Sequence, residues 1–118
     1  MNETYLKEAG IDVDHGLELL GDMEVYNETL QDFLTEVEER LPKLEASKKN
    51  EDMENYAILV HAMKSDSKYL GFTKLADLSY QHEMESKAGH NNYIIEHYQE
   101  LMEEVDRIMK VVQTYLGQ

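Results

Sequence analysis

The segment His61-Ala62-Met63-Lys64-Ser65-Asp66-Ser67-Lys68-Tyr69-Leu70-Gly71 gathers one imidazole, two lysines and several small side chains along a few helical turns. Around it Tyr56, Leu59, Val60, Met63 and Leu70, with small Ser67 in the gap, recur at spacings of three and four, which marks one buried stripe of a helix. His61 lies off that stripe, so its ring is expected on the outside, where a partner can reach it. Its neighbours one turn away, Ala57 and Ser65, are small, while Lys64 follows at i+3 and Lys68 two turns on. An ordinary imidazole titrates near pH ~6.5, so at neutral pH its Nε2 lone pair is ready to attack phosphorus without a separate base. The pattern makes His61 a candidate phosphoryl carrier.

Composition removes several other chemistries. The 118 residues contain no cysteine, so a thiolate nucleophile, a disulfide framework and a cysteine zinc site are all excluded. No apolar run approaches the ~18 residues that span a bilayer, and Met1-Asn2-Glu3-Thr4 lacks the basic start of a secretory leader. The chain reads as soluble and cytoplasmic. Eleven Lys and Arg against 25 Asp and Glu give a net charge of -14, which repels nucleic-acid backbones and anionic lipid. Residues 61–74 are the exception, with Lys64, Lys68 and Lys74 against Asp66 alone, a local +2. The basic stretch sits on the histidine.

One proline, six glycines and no alternating β pattern predict an all-α fold. A short helix from Thr4 to Ala9 ends at Gly10, and Asp12 caps a second from Val13 to Leu20 that stops at Gly21. These two are expected to pack as a lid. Asp22 starts a long helix with Tyr26, Leu30, Phe33, Leu34, Val37, Leu41 and Leu44 on its apolar face, and Pro42 is expected to kink it near its end. Ser47-Lys48-Lys49-Asn50 reads as a loop, after which the His61 helix runs from Asp52 to Leu70 and stops at Gly71. Thr73 caps the next helix, Lys74 to Ala88, which buries Leu75, Leu78 and His82 before a break at Gly89-His90-Asn91-Asn92. Ile94 to Leu116 completes the pattern with the most regular apolar stripe in the chain. Four long amphipathic helices with short connections imply an up-down antiparallel four-helix bundle, with the 118 residues as a single domain.

At His61 to Gly71 the chain resembles the histidine-containing phosphotransfer (HPt) domain family of two-component phosphorelays. The family pattern of a histidine, a lysine at +3, a small residue at +4 and an apolar-Gly pair at +9 and +10 is met by His61, Lys64, Ser65, Leu70 and Gly71. The helical order matches as well, and the resemblance covers nearly the whole chain. It implies that Glu83, at +22, accepts a hydrogen bond from the Nδ1 of His61, and that Lys87, at +26, lies near the phosphoryl group. Two positions depart from the family: Ser65 stands where Gly is commonest, and Lys68 where a small residue is common.

The resemblance implies a carrier that takes a phosphoryl group on His61 from a receiver-domain aspartate and passes it to another receiver, with no kinase activity of its own. Glu83 would fix the tautomer, Lys64 and Lys87 would offset phosphoryl charge, and Ser65 would add a hydrogen bond. Response-regulator receiver domains are the expected partners, with a hybrid sensor kinase as a further candidate donor. The receiver would bring the magnesium ion, and this chain would bind no cofactor. No Gly-rich phosphate loop or kinase signature is present. Ala57 and Lys68 are expected within the partner's footprint, and a monomer is expected in solution.

Two rival classes differ in what they require. A carboxylate-bridged metal bundle needs Glu three residues before a histidine, and none of the five histidines has it. A phosphorylation-incompetent module that only binds receivers would not need His61, Lys64 and Glu83 together. His82 follows the apolar spacing and reads as a buried structural histidine, whereas His15, His90 and His97 have no assigned role.

Overall fold

In a computed structural model that describes all 118 residues, the first four helices each begin at a side chain able to cap. These are α1 (Glu3–Glu8) at Asn2, α2 (Val13–Leu20) at Asp12, α3 (Met23–Lys49) at Asp22 and α4 (Met53–Leu70) at Asp52. Each cap oxygen accepts from a first-turn backbone N–H at 2.9 to 3.1 Å, an interaction worth about 1 kcal/mol. Two further helices, α5 (Thr73–Lys87) and α6 (Asn91–Leu116), complete an all-helical chain. No helix is long and apolar enough to cross a membrane.

Three boundaries differ from the sequence expectation. Ser47, Lys48 and Lys49 are helical rather than loop. Ser47 is buried and its hydroxyl donates to Lys43 O, Lys48 sits over the Tyr98 ring at 4.1 Å, and the two cations suit a helix C-terminus. α3 therefore continues through Pro42 to Lys49. Thr73 is the first helical residue of α5 and does not cap it; Phe72 holds the cap position without a side-chain bond. The Phe72 ring is drawn into the core, edge-on to Phe33 at 5.0 Å, and this moves the helix start by one residue. Asn91 and Asn92, expected in the break, belong to α6.

α4 packs against α2, α3 and α5, and α6 packs against α1, α3 and α5. The core collects one face of each helix, with Tyr26, Leu30, Phe33, Tyr56, Val60, Met63, Leu75, Ile94 and Leu101 all at 1 % exposure or less. Polar contacts fix how the ends meet. The Tyr26 hydroxyl donates to Leu70 O at 2.6 Å, joining the start of α3 to the end of α4. The Tyr115 hydroxyl donates to Asn27 at 2.7 Å, joining the end of α6 to the start of α3. Arg107 reaches from α6 to Ala9 O at 2.8 Å while holding buried Glu104 through two bonds. Gly71 closes α4 in the left-handed region, and a Cβ there would lie 2.1 Å from Asp12 O. Only glycine lets the start of α2 lie against the end of α4, where Asp12 N–H donates to Gly71 O.

His82 is fully buried on α5, hydrogen-bonded through Nδ1 to the Tyr56 hydroxyl at 2.8 Å, with no partner at Nε2. Burial pushes its pKa down to about 4. The unfolded chain binds this proton near pH ~6.5 and the folded chain does not, so stability falls as the pH drops from about 6.5 toward 4. Urea unfolding at pH 7 and pH 4.5 should show a loss of roughly 2.5 kcal/mol from this group, and the loss should shrink by about that amount in His82→Gln. An identical pH dependence in the two proteins would contradict the burial argument.

Candidate functional site

Three donors from two helices converge on one carboxylate. Glu83, on the face of α5 turned toward α4, has a side chain only 3 % exposed. Its Oε1 accepts from Lys64 Nζ at 2.6 Å, and its Oε2 accepts from Lys87 Nζ at 2.7 Å and lies 2.8 Å from His61 Nδ1. Burial pushes the Glu83 carboxyl up, but the bonds from Lys64, Lys87 and His61 outweigh it and bring the pKa down to about 2. The carboxylate's contribution to stability is therefore full above about pH 4.5 and is lost as the pH falls toward 2.

That ionised carboxylate decides which way the imidazole carries its proton. A carboxylate only accepts, so at 2.8 Å His61 Nδ1 donates, and in the neutral ring Nε2 is left with the lone pair. The His61 side chain is 57 % exposed, midway along α4. The arrangement is an imidazole whose tautomer is set from the buried side and whose ring is more than half exposed.

The expected site residues do not all gather here. Lys64 is largely covered, with its ammonium 5.3 Å from the Tyr80 ring centre as well as on Glu83. Lys87 also binds Glu83 but is more than half exposed. Both cations, expected to face a phosphoryl group, are engaged by the carboxylate instead. The reason is the cost of an unpaired buried charge, which burial of Glu83 imposes and sequence spacing does not reveal. Ser65 is half-buried and lies outside this network. Ala57 is 5 % exposed, so it contributes floor rather than a raised contact. Lys68 is exposed, pairs with no carboxylate, and lines a separate hollow of about 210 Å3 with His15, Thr73 and Asp77.

Beside His61 the structure opens a cleft of about 680 Å3 between the N-terminal half of α4 and the C-terminal half of α5. Met53, Ala57, Ile58 and His61 line it from α4, and Glu83 and Lys87 from α5. Ile58 was not among the expected site residues. Its signal in the sequence is an isoleucine three residues before His61, off the buried stripe of α4. No group of three or more His, Asp or Glu side chains is placed to hold a metal ion.

The Hpt domain family model matches residues 28–113. Comparison with curated proteins returned no match, and comparison with solved structures returned none. The matched span runs from within α3 into α6 and takes in every residue of the His61–Glu83 network. A span of that extent is decisive: the chain belongs to the Hpt domain family, whose members carry phosphoryl groups on histidine in phosphorelays.

Proposed function

We propose that this protein accepts a phosphoryl group on His61 from a receiver-domain aspartyl phosphate and returns it to the aspartate of another receiver. The observation that carries the reading is the bond from His61 Nδ1 to ionised Glu83, which leaves Nε2 as the exposed nucleophile. Nε2 attacks phosphorus, the N–P bond forms, the acyl P–O bond breaks, and the aspartate carboxylate leaves with the bonding pair. The Nδ1 proton stays in place. As the ring becomes positive, Glu83 stabilises it at a distance already suited to a charge-assisted hydrogen bond.

The scaffold for this is a single domain over residues 1–118, an up-down antiparallel four-helix bundle of α3 to α6 with α1 and α2 packed as a lid. The protein is a carrier without kinase activity, monomeric and cytoplasmic, and binds no cofactor of its own. Its receiver partners supply the magnesium ion. Lys64 and Lys87 act as supports: they keep Glu83 ionised, and Lys87, the more exposed, exchanges its bond to Glu83 for the product's negative charge once the N–P bond has formed. Ser65 keeps the rim beside His61 low, while Ala57 and Lys68 lie within the partner's footprint.

His61→Gln should abolish labelling by a phosphorylated receiver while leaving the helical circular dichroism unchanged; full labelling of this variant would refute the assignment. Glu83→Ala should slow transfer by roughly tenfold, and Glu83→Gln, whose amide oxygen still accepts from Nδ1, should recover most of the rate in rapid-quench measurements. Equal rates for the Ala and Gln variants would remove the tautomer argument. Lys68→Glu should slow association with the receiver and alter its dependence on salt. Stopped-flow rates indistinguishable from the unsubstituted protein at low salt would place Lys68 outside the footprint.

A further inference from the structure

The cations nearest His61 are poor candidates for holding a partner. Lys64 and Lys87 are both bound to Glu83, so the free positive charge close to the ring is smaller than the local +2 of the sequence suggests. Lys68 is unpaired but lies two turns along α4 and lines a different hollow. The chain as a whole carries -14, and a field of that sign does not attract the acidic phosphoryl-transfer pocket of a receiver. Affinity has to come from elsewhere.

The cleft beside His61 supplies it. Ile58 is 62 % exposed, the highest value among the large apolar side chains within the helices, and it stands three residues before His61 on the same helix. Met53 and the nearly buried Ala57 continue the apolar surface into the cleft. Glu54 is the one charged group of the lining outside the His61 network, since Glu83 and Lys87 are paired with each other. A body that brings a phosphoryl group to Nε2 must lie over His61, and His61 and Glu83 are themselves walls of the cleft. The surface is therefore continuous with the transfer site, and its occupant covers both at once. An exposed isoleucine in such a setting is the kind of apolar side chain that anchors an interface.

We infer that Ile58 and the cleft it borders, on the N-terminal side of His61, form the affinity-determining contact for the receiver, which seats an apolar surface there next to its phosphoaspartate. This rests on the phosphotransfer reading above and specifies its partner contact. It assigns different tasks to the two flanks of His61. Apolar burial at Ile58 governs how long the complex lasts, and Lys68 on the other flank governs how fast it forms.

The test measures phosphoryl transfer from a phosphorylated receiver over a range of receiver concentrations, alongside direct labelling by phosphoramidate, a small donor that needs no docking. Ile58→Asp should raise the receiver concentration for half-maximal transfer about tenfold, with the maximal rate and the phosphoramidate rate preserved. Ile58→Leu should restore the original concentration dependence. Leu19→Asp, a change at a similarly exposed residue of α2 away from the cleft, should behave as the unsubstituted protein. Normal transfer to Ile58→Asp overturns this inference alone, as does a concentration-dependent dimer of the unsubstituted protein that Ile58→Asp dissolves without changing transfer. Failure of the unsubstituted protein to accept phosphate from the receiver or from phosphoramidate overturns the phosphotransfer reading and the inference with it.

Discussion

A buried carboxylate is the constraint on which the site depends. Taking an ionised carboxyl group out of water costs several kcal/mol unless donors replace the lost hydration, and Glu83 is compensated by two ammonium groups and one imidazole N–H. Because Lys64 and His61 are on α4 while Glu83 is on α5, their two bonds to it hold the helices in one register, and the Lys87 bond closes the network within α5. The imidazole is thereby oriented and its tautomer chosen before any partner arrives. Chemistry that needs one nitrogen protonated and the other free begins from a structure that already meets the condition.

The electrostatics follow from that commitment. With both nearby lysines engaged, the rim around His61 is less basic than a count of residues suggests, in a chain whose net charge is -14. A phosphoryl carrier of the kind proposed, with a net charge of -14, needs a partner contact that does not depend on bulk charge. The apolar cleft at Ile58 and the unpaired Lys68 lie on opposite flanks of the ring along α4. Such a division suits a transient complex that must form, transfer and separate.

The position of α4 is in turn set at its far end. Gly71 admits the start of α2 at a distance no side chain tolerates, and the Tyr26 hydroxyl donates from α3 to the carbonyl of Leu70, the last residue of the helix. The +10 glycine thus has a packing role distinct from the chemistry at His61. Phe72 makes the same point from the other direction, giving up a good helix cap to place its ring against Phe33.

Periodicity and cap residues were enough to read six helices from the chain, because an apolar stripe and an Asp or Asn at a helix start are local signals. They also put His61 outside and His82 inside, since each follows from its place relative to a stripe. Where expectation and structure part, a distant contact decides: Ser47 and Lys48 stay helical through burial and the Tyr98 ring, and Thr73 yields its cap to Phe72. The family resemblance named Glu83, Lys64 and Lys87, but not that both lysines close on the one carboxylate, because that depends on how deeply α5 buries Glu83 against α4. The sequence by itself determined the helices and the outward placing of His61. Only the tertiary structure decided where the charges are neutralised and where the open apolar surface lies, because both depend on desolvation, a property of packed helices and not of residue order.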